Sequence, residues 1–262
     1  MNTTLKVLRY QLRHLLRTRA LIGYLAFFGL ATGGLLHFGG SAARALPSLA
    51  TLTLLVVPLV SLVFTTIHLF EQRRFTQLLL SHPVGRSPLF AGMYLGVTLP
   101  LVGVFLAGVG LPLLWWWPGV EMIGPVLLIL CAGALLTAVF TALAFGIAVR
   151  IREPARGLGV ALLVWLGLTV LYDGVVLMAS HALAAWPLEK PMLIAMLVNP
   201  VDLARVVTLM ALDASAMLGY TGAVFRAFFG SAGGIALALG SLVVWVIGPV
   251  LLALRRFRRM DL

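Results

Sequence analysis

EQRRFTQLLLSHPVGRSP, residues 71–88, is a charged segment that separates two long apolar runs. Its charges exclude it from the hydrocarbon of a membrane, while several large apolar residues give it an apolar side. The charged residues are Glu71, Arg73, Arg74 and Arg86, and the apolar ones are Phe75, Leu78, Leu79 and Leu80. Because Pro83 and Pro88 end a helix and turn the chain, we predict a short helix outside the membrane, between two spans. Such a segment is typical of a contact for a soluble partner.

The composition of the whole chain indicates a membrane protein. The 262 residues have a mean hydropathy of +1.08, and 10% of them are charged. So few polar residues cannot cover the surface of a soluble domain. The net charge of +11 could indicate nucleic acid, but the basic residues cluster at the ends of apolar runs, which is typical of membrane orientation. We therefore expect a single all-α transmembrane domain over residues 1–262, in contact with lipid and without nucleic acid.

Residues 1–19 predict an amphipathic helix that lies in the membrane interface. Leucines occupy one helical face and cations occupy another, in the sets Leu5, Leu8, Leu12, Leu15, Leu16 and Lys6, Arg9, Arg13, Arg17. A solvated basic tail would not keep a leucine stripe. A cleaved signal peptide is the other alternative, but the basic region is long and patterned, so we expect it to be retained.

Six apolar runs are long enough to cross a bilayer. They are residues 20–36, 49–70, 89–115, 124–149, 158–178 and 227–254. The longest connection, residues 181–226, is expected to be an extracytoplasmic segment.

The basic residues predict the orientation of these spans. Of the 19 Lys and Arg residues, four fall on one side, and the others fall on the side that holds both termini and residues 71–88. The four are Arg44, Lys190, Arg205 and Arg226. Because basic residues concentrate in cytosolic loops, we predict a multi-pass protein of the bacterial inner membrane with both termini in the cytosol.

The extracytoplasmic segment contains a helix start at Asn199-Pro200-Val201-Asp202. Asn is a preferred N-cap, Pro suits the first helical position, and an early carboxylate favours the helix dipole. We predict a helix that begins at Pro200, either as a structural helix on the membrane surface or as a docking surface for an extracytoplasmic partner. The candidate docking residues are Asn199, Pro200, Asp202 and Arg205.

Asp173 is the one acidic residue well inside a predicted span. Since an intramembrane carboxylate is costly, it should face the bundle interior, a second subunit or a water-filled path. Two interpretations stay open: a structural hydrogen bond to a neighbouring Tyr or Trp, or a part in a substrate or proton path.

Motifs for chemistry are absent from the sequence. It contains no Walker-type phosphate loop, no H-E-x-x-H and no nucleophile elbow, so we predict no catalytic residue, no cofactor and no enzyme activity in this chain. Methionines and a histidine near the predicted outer side, Met178, His181, Met192, Met196, Met210 and Met217, could suit Cu(I), but their spacing matches no compact motif. We predict no metal site, and any ATP dependence must come from another polypeptide.

Residues 71–93 resemble the coupling segment of the permease subunits of type-2 ABC exporters. The matching residues are Glu71, Thr76, Leu78, Leu79, Leu80, Pro83 and Arg86. The departures are Phe75 in place of a glycine, Met93 in place of a lysine, and Arg73 and Arg74 in a region that is usually acidic. The resemblance implies six spans, a cytosolic coupling helix and a separate ATPase subunit that contacts the matching residues.

Within that family, the nearest resemblance is to the permease of the nitrous oxide reductase maturation system. It rests on LVWLGLTVLYDGVVL at residues 163–177 and LVNPVDLARVVTLMAL at residues 197–212. It implies a subunit that works with a cytosolic ATPase and a periplasmic copper-assembly protein. Because six spans alone rarely form a two-fold pathway, we also expect a homodimer. Three alternatives stay open: a general small-molecule or lipid exporter of the same family, an ATP-independent secondary transporter that uses Asp173, and a structural membrane anchor.

Overall fold

The computed structural model describes residues 3–40, 42–80, 85–116, 119–182, 189–212 and 232–259. The regular structure in these residues is helical, which confirms the predicted all-α class. The α-helices are α1 (Thr3–Leu15), α2 (Arg19–Phe38), α3 (Ala42–Glu71), α4 (Arg73–Leu80), α5 (Arg86–Trp115), α6 (Ile123–Arg150), α7 (Pro154–Leu166), α8 (Tyr172–Ala182), α9 (Glu189–Val198), α10 (Pro200–Ala211) and α11 (Ala232–Arg258). A 3₁₀ turn, Val120–Met122, precedes α6, and a π-helical turn, Gly167–Leu171, joins α7 to α8.

Six helices in the described residues are long and apolar enough to cross a membrane, which confirms the six predicted spans. They are α2, α3, α5, α6, the continuous α7–α8 helix and α11. Three of them, α3, α5 and α7–α8, begin three or more residues earlier than predicted, and α7–α8 begins at Pro154. α3 begins at Ala42, so Arg44 lies in a helix instead of a loop, and its long side chain can extend to the interface from there. α5 begins at Arg86, so Pro88 lies in its first turn, where a proline is tolerated, and does not form a separate turn.

The core lies between α3, α5 and α6. About half of the apolar stretch of α3 and α6 is buried inside the protein, but only about a tenth of that of α7–α8 and α11. Phe28 of α2 meets Phe105 of α5 edge to face, with ring centroids 5.2 Å apart. Gly133 of α6 lies directly against the Phe105 ring, where a side chain would collide. Small residues at helix contacts are expected here, because close packing drives association where lipid replaces water.

α1 packs along α5 instead of contacting lipid alone. A Cβ atom placed on Gly92 would lie 2.9 Å from the Val7 Cβ, and one on Gly96 would lie 2.6 Å from the Gln11 Cβ. The predicted leucine stripe therefore divides. Leu15 is buried in the protein, whereas Leu5 and Leu16 are exposed and remain available to lipid.

α10 begins at Pro200, as predicted, and the Asn199 Oδ1 accepts a hydrogen bond from the Val201 N–H at 3.0 Å. The prediction that this helix lies on a surface is wrong, because α10 packs against α3, α6 and α11 and is buried. The reason is its apolar side chains on all sides, Val201, Leu203, Ala204, Val206, Val207 and Leu209. Asn199, Pro200 and Asp202 are also buried and form no exposed docking surface in this structure.

Candidate functional site

One end of the bundle brings together α1, α4, residues 150–156 and the end of α11, and we call it the basic end. α4 is a helix of eight residues, separated from α3 by Gln72. Its outer side consists of Arg74, Gln77 and Leu78, of which Leu78 is 60% exposed. Glu71, at the end of α3, is also exposed and lines an open cleft of about 380 Å³ between α3 and α7.

The inner side of α4 faces the protein. Thr76 is buried, and its Oγ1 donates a hydrogen bond to the Gln72 carbonyl at 3.0 Å and lies 3.9 Å from the Met93 Sδ. Met93 is buried at the position where the type-2 exporters carry a lysine. Leu79 and Leu80 pack against the cluster that contains Met93. Of the predicted ATPase contacts on α4, only Leu78 therefore points clearly outward, and Pro83 lies outside the described residues.

Arg73 connects α4 to the loop between α6 and α7. Its Nη1 donates to the Arg152 carbonyl at 2.9 Å and to the Ile151 carbonyl at 3.4 Å. This contact joins two segments that the sequence predicted on the same side of the membrane. It also explains why Arg73 is tolerated in a neighbourhood that is usually acidic, since its charge is directed at backbone oxygens.

Arg86 was predicted to contact the ATPase, but its position gives it another contact. Its Nη1 donates to the Arg258 carbonyl at 2.6 Å, and the Arg258 Nε donates to the Ser87 Oγ at 2.7 Å. These two bonds hold the beginning of α5 to the end of α11. The sequence gives no signal for this pairing, because the residues are 172 positions apart.

The opposite end of the bundle contains an ion-pair network. The Arg205 Nη1 lies 2.5 Å from the Asp173 Oδ2 and 3.0 Å from the Asp202 Oδ1. The side chains of Arg205 and Asp173 are 28% and 38% exposed, whereas that of Asp202 is 11% exposed. Burial raises the pKa of Asp202, the neighbouring Asp173 raises it further, and the Arg205 guanidinium opposes both effects.

We predicted a tyrosine or tryptophan as the partner of Asp173. In the structure its partner is Arg205. The neighbouring Tyr172 instead donates its hydroxyl hydrogen to the Ala195 carbonyl at 2.5 Å. Asp173 and Arg205 lie in the two stretches that carried the narrower resemblance, but their opposite charges alone do not show that they are paired.

The π-helical turn next to Asp173 is also bonded to the start of α10. The Asn199 Nδ2 donates to the Leu168 carbonyl at 2.7 Å, while its Oδ1 caps α10. A π turn frees carbonyl groups from the regular helical pattern and is frequently found at functional positions. The fifth span and α10 are therefore joined by side-chain contacts both at the π turn and at Asp173.

The described residues contain no group of three or more His, Cys, Asp and Glu side chains placed to hold a metal ion. Met178 and His181 of α8 are exposed, and Met196 and Met210 pack against the core. The Met192 side chain and Met217 lie outside the part of the chain that the structure describes.

Comparisons with known proteins agree on one family. The family model for "ABC-2 family transporter protein" matches residues 41–262. The "Probable ABC transporter permease protein NosY" of Pseudomonas aeruginosa is 32% identical over 231 residues, which cover 81% of this chain and 84% of that protein. The protein of the same name from Stutzerimonas stutzeri is 27% identical over 297 aligned positions, which cover 99% of both chains.

Proposed function

This chain belongs to the ABC-2 family of transporter proteins, and from that premise we propose that its basic end receives a separate cytosolic ATPase through α4. The protein is the membrane-embedded permease of an ABC transporter. ATP hydrolysis is assigned to the partner, because the sequence contains no phosphate-binding loop. The observation that carries the proposal is the two-sided α4 helix, with Arg74, Gln77 and Leu78 outside and Thr76 inside.

The inner contacts of α4 support a lever mechanism, in which movement of α4 displaces the membrane spans. Movement of α4 would displace α5 through the contact of Thr76 with Met93, and the α6–α7 loop through the bonds of Arg73. Because packed helices shift as rigid elements, such a displacement can reach the opposite end of the bundle. ATP binding in the partner would drive this movement, and hydrolysis would reverse it.

We place the basic end in the cytosol of a bacterial inner membrane, with both termini on that side. The argument is the charge distribution: Arg73, Arg86, residues 150–156 and the arginines that end α11 lie together at this end. The arginine contacts between these segments support this grouping, and the same end presents α4 to a soluble ATPase.

The copper-assembly role is the narrower part of the proposal. It rests on residues 163–177 and 197–212, which resemble the permease of nitrous oxide reductase maturation, and on the two NosY relatives. In this role the permease passes movement to a periplasmic copper-assembly protein. With α10 buried, the surface for that partner shifts to α9, where Ile194 and Val198 are exposed.

A homodimer completes the proposed complex. The α7–α8 helix is exposed along most of its length, and its outer half combines exposed apolar residues with the partly exposed Asp173. A second copy that covers this face would shield the ion pair from lipid. If lipid covered the face instead, the partly exposed Asp173 would remain in contact with it.

A secondary transporter is the second candidate, and the ion-pair network is the observation that favours it. Two carboxylates share one guanidinium, which is a plausible composition for a proton path. Transport by the purified protein without the ATPase, which collapses with the proton gradient, would establish this alternative.

The test of the ATPase contact uses Leu78→Ala in the full-length protein. Because truncation of an interface residue that carries binding energy costs more than about 1 kcal/mol, we expect recovery of the ATPase in a quantitative pull-down to fall roughly fivefold or more. The matched control is Leu30→Ala, which shortens a leucine that is 77% exposed on α2, away from both proposed interfaces. ATPase recovery that is equal for both variants would contradict the proposed contact.

A further inference from the structure

A pair of side-chain amides, Gln11 and Gln72, connects α1 to the junction of α3 and α4. The Gln11 side chain is buried, and its Nε2 donates to the Gln72 Oε1. The Gln72 Nε2 donates back to the Gln11 Oε1 at 3.3 Å, and the His68 Nε2 lies 3.1 Å from the same oxygen. Because Gln72 is the residue between the two helices, this pair holds α1 at the point where α4 would pivot.

A second contact joins α1 to α4 itself. The rings of Tyr10 and Phe75 are stacked, with centroids 5.7 Å apart and an interplanar angle of 26°. Tyr10 and Phe75 are one position away from Gln11 and Thr76, respectively. The contacts of α1 therefore hold both the pivot and the first turn of α4, so the two helices should move together.

The other side of Gln11 lies against α5. Its Cβ is so close to Gly96 that a methyl group there would lie 2.6 Å away, and Val7 approaches Gly92 in the same way. By contrast, a Cβ on Gly103 of α5 would meet nothing within 4 Å. Closely packed contacts pass displacement on because they leave no space to absorb it.

We infer that α1 is a transmission arm that carries the movement of α4 to α5, and that Gln11 is the positioning residue that links them. This inference rests on the proposed ATPase contact of α4, but it concerns a later step. An α1 helix that only anchors the protein in lipid would need neither the Gln11 and Gln72 pair nor the glycine contacts with α5.

The first test is Gln11→Ala in the full complex, reconstituted in nanodiscs. We expect the ATPase to remain bound, while the ATP-dependent change in hydrogen exchange of α8 and α9 falls roughly twofold relative to the wild type. The loss is partial because the direct contacts of Thr76 and Arg73 remain. The control is Arg13→Ala, which truncates an exposed side chain of α1 and should keep the full change. A full ATP-dependent change in Gln11→Ala would overturn the inference.

A cysteine pair tests whether α1 and the pivot move as one body, and does not depend on the fold tolerating an alanine. Gln11→Cys and Gln72→Cys are combined with Cys131→Ser, and the pair is joined by a short thiol crosslinker. The linked protein should respond to ATP as the wild type does, whereas the unlinked pair should resemble Gln11→Ala. A response in the unlinked pair that linking abolishes would show that α1 and the pivot separate, and would refute the inference.

The same measurements separate this inference from the proposed function. If the wild type recovers no ATPase, or shows no ATP-dependent exchange change, the proposed lever is wrong. If the wild type responds and Gln11→Ala responds equally, only the role of α1 is wrong.

Discussion

At the residue scale, Arg205 places one guanidinium between two carboxylates. Arg205 lies within 3.0 Å of both carboxyl groups and is the cation that the two share. Removal of the arginine would leave two neighbouring carboxyl groups without their cation in a partly buried place. The network is therefore expected to stabilise the contact between α8 and α10 and to respond to pH.

We predict that Arg205→Met lowers the free energy of unfolding by about 2 kcal/mol, less than the 3–5 kcal/mol typical of a fully buried pair because Asp173 is partly exposed. Thermal unfolding in detergent measures the change. Arg156→Met is the control, since Arg156 is exposed and lies 4.0 Å from Glu153. Equal stability of the two variants would contradict a stabilising network.

The raised pKa of Asp202 predicts a pH dependence of stability. The pKa rises from 3.8 to about 7, mainly through burial, so the folded protein binds this proton more tightly than the unfolded chain does. The stabilisation is complete below about pH 4 and is lost as the pH rises through 7. Wild-type stability should therefore fall between pH 5 and pH 8, as measured by thermal unfolding.

Asp202→Asn isolates this group from other titrations. The variant cannot ionise at this position, so its loss of stability between pH 5 and pH 8 should be smaller than that of the wild type. Identical pH profiles for the two proteins would argue against a protonated Asp202.

The residues that carry these effects could be found in the sequence, but not their pairing. Asp173 was singled out because a carboxylate in an apolar run is unusual, and Asn199 because its position before Pro200 predicts a cap. The ion pair joins residues 32 positions apart, and no local pattern indicates which cation approaches Asp173. Similarly, the sequence does not show that Leu79 and Leu80 face the protein, because this depends on how α4 packs against the other helices.

At the element scale, α5 provides the surface on which α1 lies. Gly92 and Gly96 are four positions apart, a spacing that lets two helices approach closely in a membrane. The sequence predicted α1 from its leucines and cations, but it did not predict this protein contact, because a leucine stripe fits lipid and protein equally well. Likewise, α10 was predicted from its cap, but its burial was missed.

We predict that Gly96→Ala weakens the docking of α1. The new methyl group would collide with the Gln11 Cβ, and overpacking of this kind typically costs 1–3 kcal/mol. Hydrogen exchange of residues 3–15 should rise in the variant. Gly103→Ala adds the same methyl group where nothing lies within 4 Å, and it should leave this exchange unchanged. Equal exchange of α1 in both variants would show that the contact does not hold the helix.

At the scale of the whole molecule, the six spans were predictable because hydropathy and helix length are local properties of the sequence. The grouping of the basic segments was predictable for the same reason, since it follows from counting spans. How the segments are joined was not predictable. The contacts of Arg73 with residues 151 and 152, and of Arg86 with the end of α11, bring distant parts of the chain together.

These contacts make the basic end one connected unit. α4 is joined to α1 through Phe75, to α5 through Thr76, and to the α6–α7 loop through Arg73. The beginning of α5 is in turn bonded to the end of α11. A force applied to α4 would therefore act on several spans at once, as expected of a permease driven by a separate ATPase.

The most direct test of this account is a mild-detergent pull-down of the tagged protein from its native membranes, with mass spectrometry of the proteins that accompany it. The account predicts an ABC ATPase in stoichiometric amounts, and a periplasmic copper-assembly protein alongside it if the narrower role is correct. An ATPase alone would support a general exporter. If no ATPase is recovered even after crosslinking, the coupling role of α4 is contradicted and the secondary transporter becomes the better explanation.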